Sequence, residues 1–135
     1  IRLKAIQESG VLKKINEAIQ RGVVVQVYTD KLLNMGVEPK YPHGQEKHIM
    51  EFTEAKNTLA DQGVQICIVN KVHSKILMTD DDLLCIGSFN WLSAQRSGDY
   101  VRHETSMAYL GPDVHQELQV NRLSLEQRRA SRSLD

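Results

Sequence analysis

The sequence is poor in the residues that mark the special classes of protein. Two cysteines in 135 residues are too few for a disulfide-stapled scaffold. Three prolines and eight glycines exclude proline-rich and collagen-like chains. No apolar run approaches the ~20 residues that cross a bilayer, and no signal peptide is visible. A cytoplasmic location and no membrane partner are the expectations. Neither sign of charge is in excess, with 17 Lys plus Arg against 17 Asp plus Glu. No global field therefore draws the chain to a polyanion, and any nucleic-acid contact must come from a local patch. The first residue is Ile rather than Met, so a piece of a longer chain is expected.

The rest of the composition is that of a globular domain. Hydrophobic residues make up 41% and charged residues 25%, enough to build one sizeable core. Apolar Val11, Leu12, Ile15, Ala18 and Ile19 recur at helical spacing, with Ser9 as the expected N-cap and Gly22 as the stop. Val23–Asp30 is β-branched and nearly continuous, which reads as a strand buried on both faces. A helix feeding such a strand points to an α/β layer. Residues 30–45 hold Gly36, Pro39, Pro42 and Gly44 and read as a long connection of the kind that often carries function.

A second helix is expected over Glu46–Asp61, with Ile49, Phe52, Leu59 and Ala60 on its inner side. Gly63 ends it, and Val64–Val69 is a second buried strand. Lys71–Thr79 and Leu83–Ile86 read as a hairpin around the polar turn Asp80-Asp81-Asp82. Glu104–Leu110 reads as a fifth strand, and Gly111-Pro112-Asp113 introduces a last helix. Ile1–Ile6 is compatible with a helix end or a short strand. Cys67 and Cys85 lie in apolar strand runs and read as buried, reduced thiols.

The chemistry concentrates between His73 and Asn90. On a strand, His73 and Lys75 project from one side. An imidazole titrates near neutrality and can attack or carry a proton. An ammonium beside it supplies charge for phosphate oxygens. Gly87 admits close backbone approach, and Ser88 and Asn90 offer short polar groups. The competing reading of His73 and Lys75 alone is an exposed pair on an edge strand. The Asp80–Asp82 run lacks calcium-loop spacing and reads as a solvated turn. His43 and His48 with Cys67 and Cys85 lack the CxxC spacing of a zinc site. Arg102, Arg96, Lys31 and Lys40 are candidates to line a groove for a polyanion. Arg128, Arg129 and Arg132 suit a helix C-terminus. Trp91 reads as core or site wall, with stacking on a base or sugar as the sharper alternative.

The spacing His73-x-Lys75, four residues, Asp80, six residues, Gly87-Ser88-x-Asn90 resembles the signature of the phospholipase D superfamily, with every fixed position matched. The similarity extends over about Val11 to Leu110, through the run-ups at Arg21-Gly22-Val23 and Gln62-Gly63-Val64. It implies one phospholipase-D-like domain over residues 1–135. Its fold would be an α/β three-layer sandwich, a mixed central sheet with helices on both faces. It implies that His73 is a nucleophile forming a phosphohistidine, with a second motif histidine as general acid and then base. Lys75, Ser88 and Asn90 would bind phosphate, and Asp80 and Gly87 would be structural. Glu104 is the matching candidate for the glutamate that orients the histidine, although Arg102 stands where the family carries Asn. The resemblance implies no metal and no cofactor.

The chain holds one His-x-Lys pair. The two-histidine mechanism therefore needs a second copy, from a homodimer or from a second motif upstream, and the homodimer is the preferred expectation. The expected activity is a metal-independent phosphodiesterase, an endonuclease on DNA or RNA. The alternatives are a phospholipase or phosphatidyl transferase, and a non-catalytic nucleic-acid-binding module of a larger helicase-like protein.

Overall fold

A computed structural model describes residues 1–30, 42–94, 97–99 and 101–130. Helix α1 spans Leu3–Glu8, α2 Val11–Gln20, and strand β1 Gln26–Asp30. Helix α3 (Pro42–Asp61) leads to β2 (Gln65–Val69), and the β3–β4 hairpin pairs Ile76–Thr79 with Leu83–Gly87. Strand β5 (Ser106–Leu110) is followed by a 3-10 turn at Pro112–Val114 and by α4 (His115–Ala130). Lys31, Lys40, Arg96, Arg132 and most of the anticipated 30–45 connection lie outside the described residues.

The architecture is α/β, with parallel and antiparallel pairing both present. They occur as two hydrogen-bonded ladders, β1-β2 parallel and β3-β4-β5 antiparallel. Each ladder has its own core. Ile6, Phe52, Ala55, Leu59 and Val64 bury the helices against β1 and β2, with Leu12, Ile15 and Ile19 of α2 packed alongside. Leu84, Val114 and Leu118, with Ile76 and Met78, join α4 to the antiparallel ladder. Burial of this kind stabilises by roughly 25 cal/mol per Å² of apolar surface.

Local signals explain the helix ends. Gly63, at φ +96°, closes α3: its N–H donates to the Ala60 carbonyl (2.9 Å) and the Val64 N–H to that of Leu59 (3.1 Å). A Cβ would make this left-handed conformation costly. The same pair of bonds ends α2, from Gly22 to Ile19 and from Val23 to Ala18. Ser9 is not the cap residue of α2. Gly10 takes that position, while the Ser9 hydroxyl still accepts the Val11 N–H at 3.4 Å.

Several expected boundaries shift. Helix α3 begins at Pro42, four positions before Glu46, because Pro at a helix start loses no hydrogen bond. Its inner face is Phe52, Ala55 and Leu59, whereas Ile49 is 39% exposed and Ala60 is exposed. The strand expected from Val23 begins at Gln26. It is not buried on both faces: Val24 is 70% exposed, because the α2 closing turn holds Val23 before pairing starts. The strands expected from Lys71 and Glu104 begin at Ile76 and Ser106, so His73, Lys75 and Glu104 lie just before their strands. Cys67 and Cys85 are buried free thiols. Among the described residues, no helix is long and apolar enough to cross a membrane.

Candidate active site

The hairpin and the start of β5 bring most of the motif to one end of the antiparallel ladder. The Gly87 N–H donates to the Lys75 carbonyl at 3.2 Å, so the two halves of the motif meet where β3 begins and β4 ends. An open cleft of about 380 Å³ forms there, lined by His73, Ser74, Lys75, Ile76, Ile86, Gly87 and Ser88. His73 is exposed, and Lys75 is half-buried.

Lys75 and His73 are in direct contact. The ammonium lies 3.0 Å from Nδ1 and 3.1 Å from Nε2 of the imidazole, and it also donates to the His73 carbonyl. An ammonium and an imidazole therefore share one mouth of the cleft, a grouping suited to phosphate chemistry.

Gly87 is where β5 approaches closest. A Cβ built there would lie 2.6 Å from the Thr105 carbonyl oxygen and 2.7 Å from the Ser106 Cα, both backbone atoms. Beyond it, the Ser88 N–H donates to the Thr105 carbonyl at 3.0 Å, and the Ser88 hydroxyl accepts the Thr105 N–H at 3.2 Å. The same hydroxyl donates to the Glu104 carboxylate. Glu104 thus enters the site through Ser88.

Two motif residues stand apart from the cleft. Asn90 is not among its lining residues. Its carbonyl accepts the N–H groups of Ser93 (3.1 Å) and Ala94 (2.8 Å), so it opens the following turn. Asp80 sits at the far end of the hairpin, at φ +41°, with its carbonyl held by the Arg122 guanidinium of α4. Trp91 packs edge-on against Phe89, ring centroids 5.4 Å apart. Arg102 is exposed just before Glu104.

Some neighbours were not evident from the motif. Ile76 and Ile86 face each other across the hairpin and form an apolar wall of the cleft. Strand alternation sets Ile76 on the face opposite Lys75, so the motif spacing gives no sign that this pair lines the cleft. Thr105 became visible only through its pairing with Ser88.

An α/β domain whose hairpin carries His-x-Lys against Gly-Ser defines a phospholipase-D-type domain. A family model described as the PLD-like domain of cardiolipin synthase matches residues 2–121, and the chain belongs to that family. The superfamily acts on phosphodiesters. Among curated proteins and among solved structures, none matches the chain.

Proposed function

We propose that the chain is a metal-independent phosphodiesterase that cleaves DNA or RNA through a phosphohistidine, in a site shared by two copies. The observation that carries this reading is the convergence of His73, Lys75, Gly87 and Ser88 on one cleft in a chain with a single His-x-Lys pair.

A ring nitrogen of His73 attacks phosphorus, and the bond to the leaving oxygen breaks. For this, Lys75 must turn its ammonium from the ring to a non-bridging oxygen. The partner subunit's His73 donates the proton that the leaving oxygen takes. It then removes a proton from water, which attacks phosphorus and frees the His73 ring. This proton transfer contributes on the order of 10²–10⁴ in rate. Ser88 turns its hydroxyl proton from the Glu104 carboxylate to the phosphate, and Glu104 then orients an imidazole. A two-fold dimer supplies both rings from one motif.

The test is cleavage of labelled single- and double-stranded DNA and RNA in EDTA, with sedimentation to weigh the particle. The expectation is cleavage by a dimer, abolished by His73→Ala. Cleavage that survives His73→Ala rules out the nucleophile. Binding without turnover, unchanged by His73→Ala, would favour the non-catalytic module instead.

A specific observation favours a second reading, a phospholipase or phosphatidyl transferase. The apolar wall of Ile76 and Ile86 continues to Met107, which pairs with Ile86; Ile86 is 48% and Met107 79% exposed. Such a row beside a phosphate site would suit an acyl or glycerol moiety, and the matching family is described by a lipid enzyme. Headgroup release from phospholipid vesicles, with no nucleic-acid cleavage, decides for it.

A further inference from the structure

The segment that carries His73 leaves the end of β2 and crosses to β3 without regular pairing, as Asn70 to Lys75. A nucleophile on such a stretch needs its backbone held from elsewhere. Two side chains distant in sequence hold it. Asp30, at the last position of β1, is 4% exposed, and its carboxylate accepts the Val72 N–H at 3.2 Å. Val72 immediately precedes His73. From the opposite direction, Arg128 in the last turns of α4 donates one guanidinium N–H toward the carbonyls of Asn70 (3.3 Å) and Lys71 (3.4 Å). Lys71 between them stands in the left-handed region at φ +56°, a strained conformation for a non-glycine residue that persists where its surroundings impose it.

We propose that Asp30 and Arg128 are positioning residues for the reaction, a clamp that fixes the Asn70–Val72 backbone and so aims the His73 ring at phosphorus. This rests on the reading of His73 as the nucleophile. Asp30 presents an anionic acceptor to an N–H, and Arg128 presents a cation to two carbonyls. The two charges therefore match the two kinds of backbone group they meet, which makes all three bonds charge-assisted. The parallel ladder also gains a role. Asp30 and Val69 are partners at the end of β1 and β2, so the sheet edge where the carboxylate sits is the edge from which the nucleophile's segment departs. Displacing a reacting group by ~1 Å costs on the order of 10² in rate.

The test uses the full chain and bis(p-nitrophenyl) phosphate, a phosphodiester that presupposes neither nucleic acid nor lipid. Arg128→Ala and Asp30→Ala should each lower kcat at least tenfold with KM within twofold. Asp30→Asn retains an acceptor oxygen for the Val72 N–H and should recover most of the loss, a rescue that general destabilisation would not show. Arg128 is an exposed side chain, so its variant keeps the test open if Asp30→Ala does not fold. Wild-type kcat in folded Arg128→Ala or Asp30→Ala, alongside an inactive His73→Ala, overturns the clamp while leaving the nucleophile in place. Turnover that survives His73→Ala removes the nucleophile itself, and the clamp with it.

Discussion

Replacing Gly87 with alanine perturbs the site at the point where the structure has least room. The added Cβ would sit 2.6 Å from the Thr105 carbonyl oxygen and 2.7 Å from the Ser106 Cα, and non-bonded carbons pack at about 3.5–4.0 Å. The Ser106 hydroxyl, nearest of all, can rotate away, but the Thr105 carbonyl and the Ser106 Cα are backbone and cannot. Strand β5 must retreat by about 1 Å from β4. Overpacking of this order costs about 1–3 kcal/mol. An unfolding entropy of about 2.1 cal/mol/K per residue gives about 0.28 kcal/mol/K for 135 residues. The melting temperature should therefore fall by about 4–11 °C. The same retreat pulls Thr105 from Ser88 and carries Glu104 with it, since Glu104 reaches the site through the Ser88 hydroxyl. Activity should fall at temperatures well below the melting point. Melting followed by circular dichroism, with phosphodiester hydrolysis at 20–30 °C below the transition, reads both effects. A variant with unchanged melting temperature and unchanged turnover would refute the close approach of β5 and the coupling drawn from it.

Two further outcomes follow from the packing and from one tyrosine. Leu118 is fully buried between α4 and the antiparallel ladder, so Leu118→Ala should cost about 2–5 kcal/mol in denaturant unfolding; a loss below about 0.5 kcal/mol would mean that α4 does not dock there. The Tyr28 phenol, desolvated by burial and bonded at 2.8 Å to the Glu126 carboxylate, is pushed up from 10.0 to about 12. The fold favours the neutral phenol, so the stability it contributes is fully present below pH 10 and is lost as pH rises toward 12. Tyr109 is raised as well, by its hydrogen bond to Asp113, so absorbance titration should lose one late-titrating phenol in Tyr28→Phe, and a late component of undiminished size in that variant would contradict the assignment.

What was legible in the sequence was local in origin. Helix α2 follows from one amphipathic repeat and a glycine stop, β2 and β4 from short apolar runs, and the hairpin from its three aspartates. The motif's fixed spacing placed His73, Lys75, Gly87 and Ser88 at one site, because a hairpin of that length returns the chain to its starting end. The departures have non-local causes. Lys71 to Lys75 reads as strand by composition, but the bonds from Asp30 and Arg128 hold its first part in another shape. The turn before β5 brings Glu104 to the Ser88 hydroxyl, a contact between segments that the motif spacing does not encode. The full burial expected of Val23 and Val24 failed because pairing in the parallel ladder starts three residues later, at Gln26.

The central claim is that a nitrogen of His73 becomes bonded to phosphorus during turnover. The direct measurement is mass spectrometry of the chain quenched at alkaline pH during hydrolysis, where phosphohistidine survives. A phosphorylated adduct confined to His73, and absent from His73→Asn, is the predicted result. Steady turnover with no adduct on His73 would contradict it.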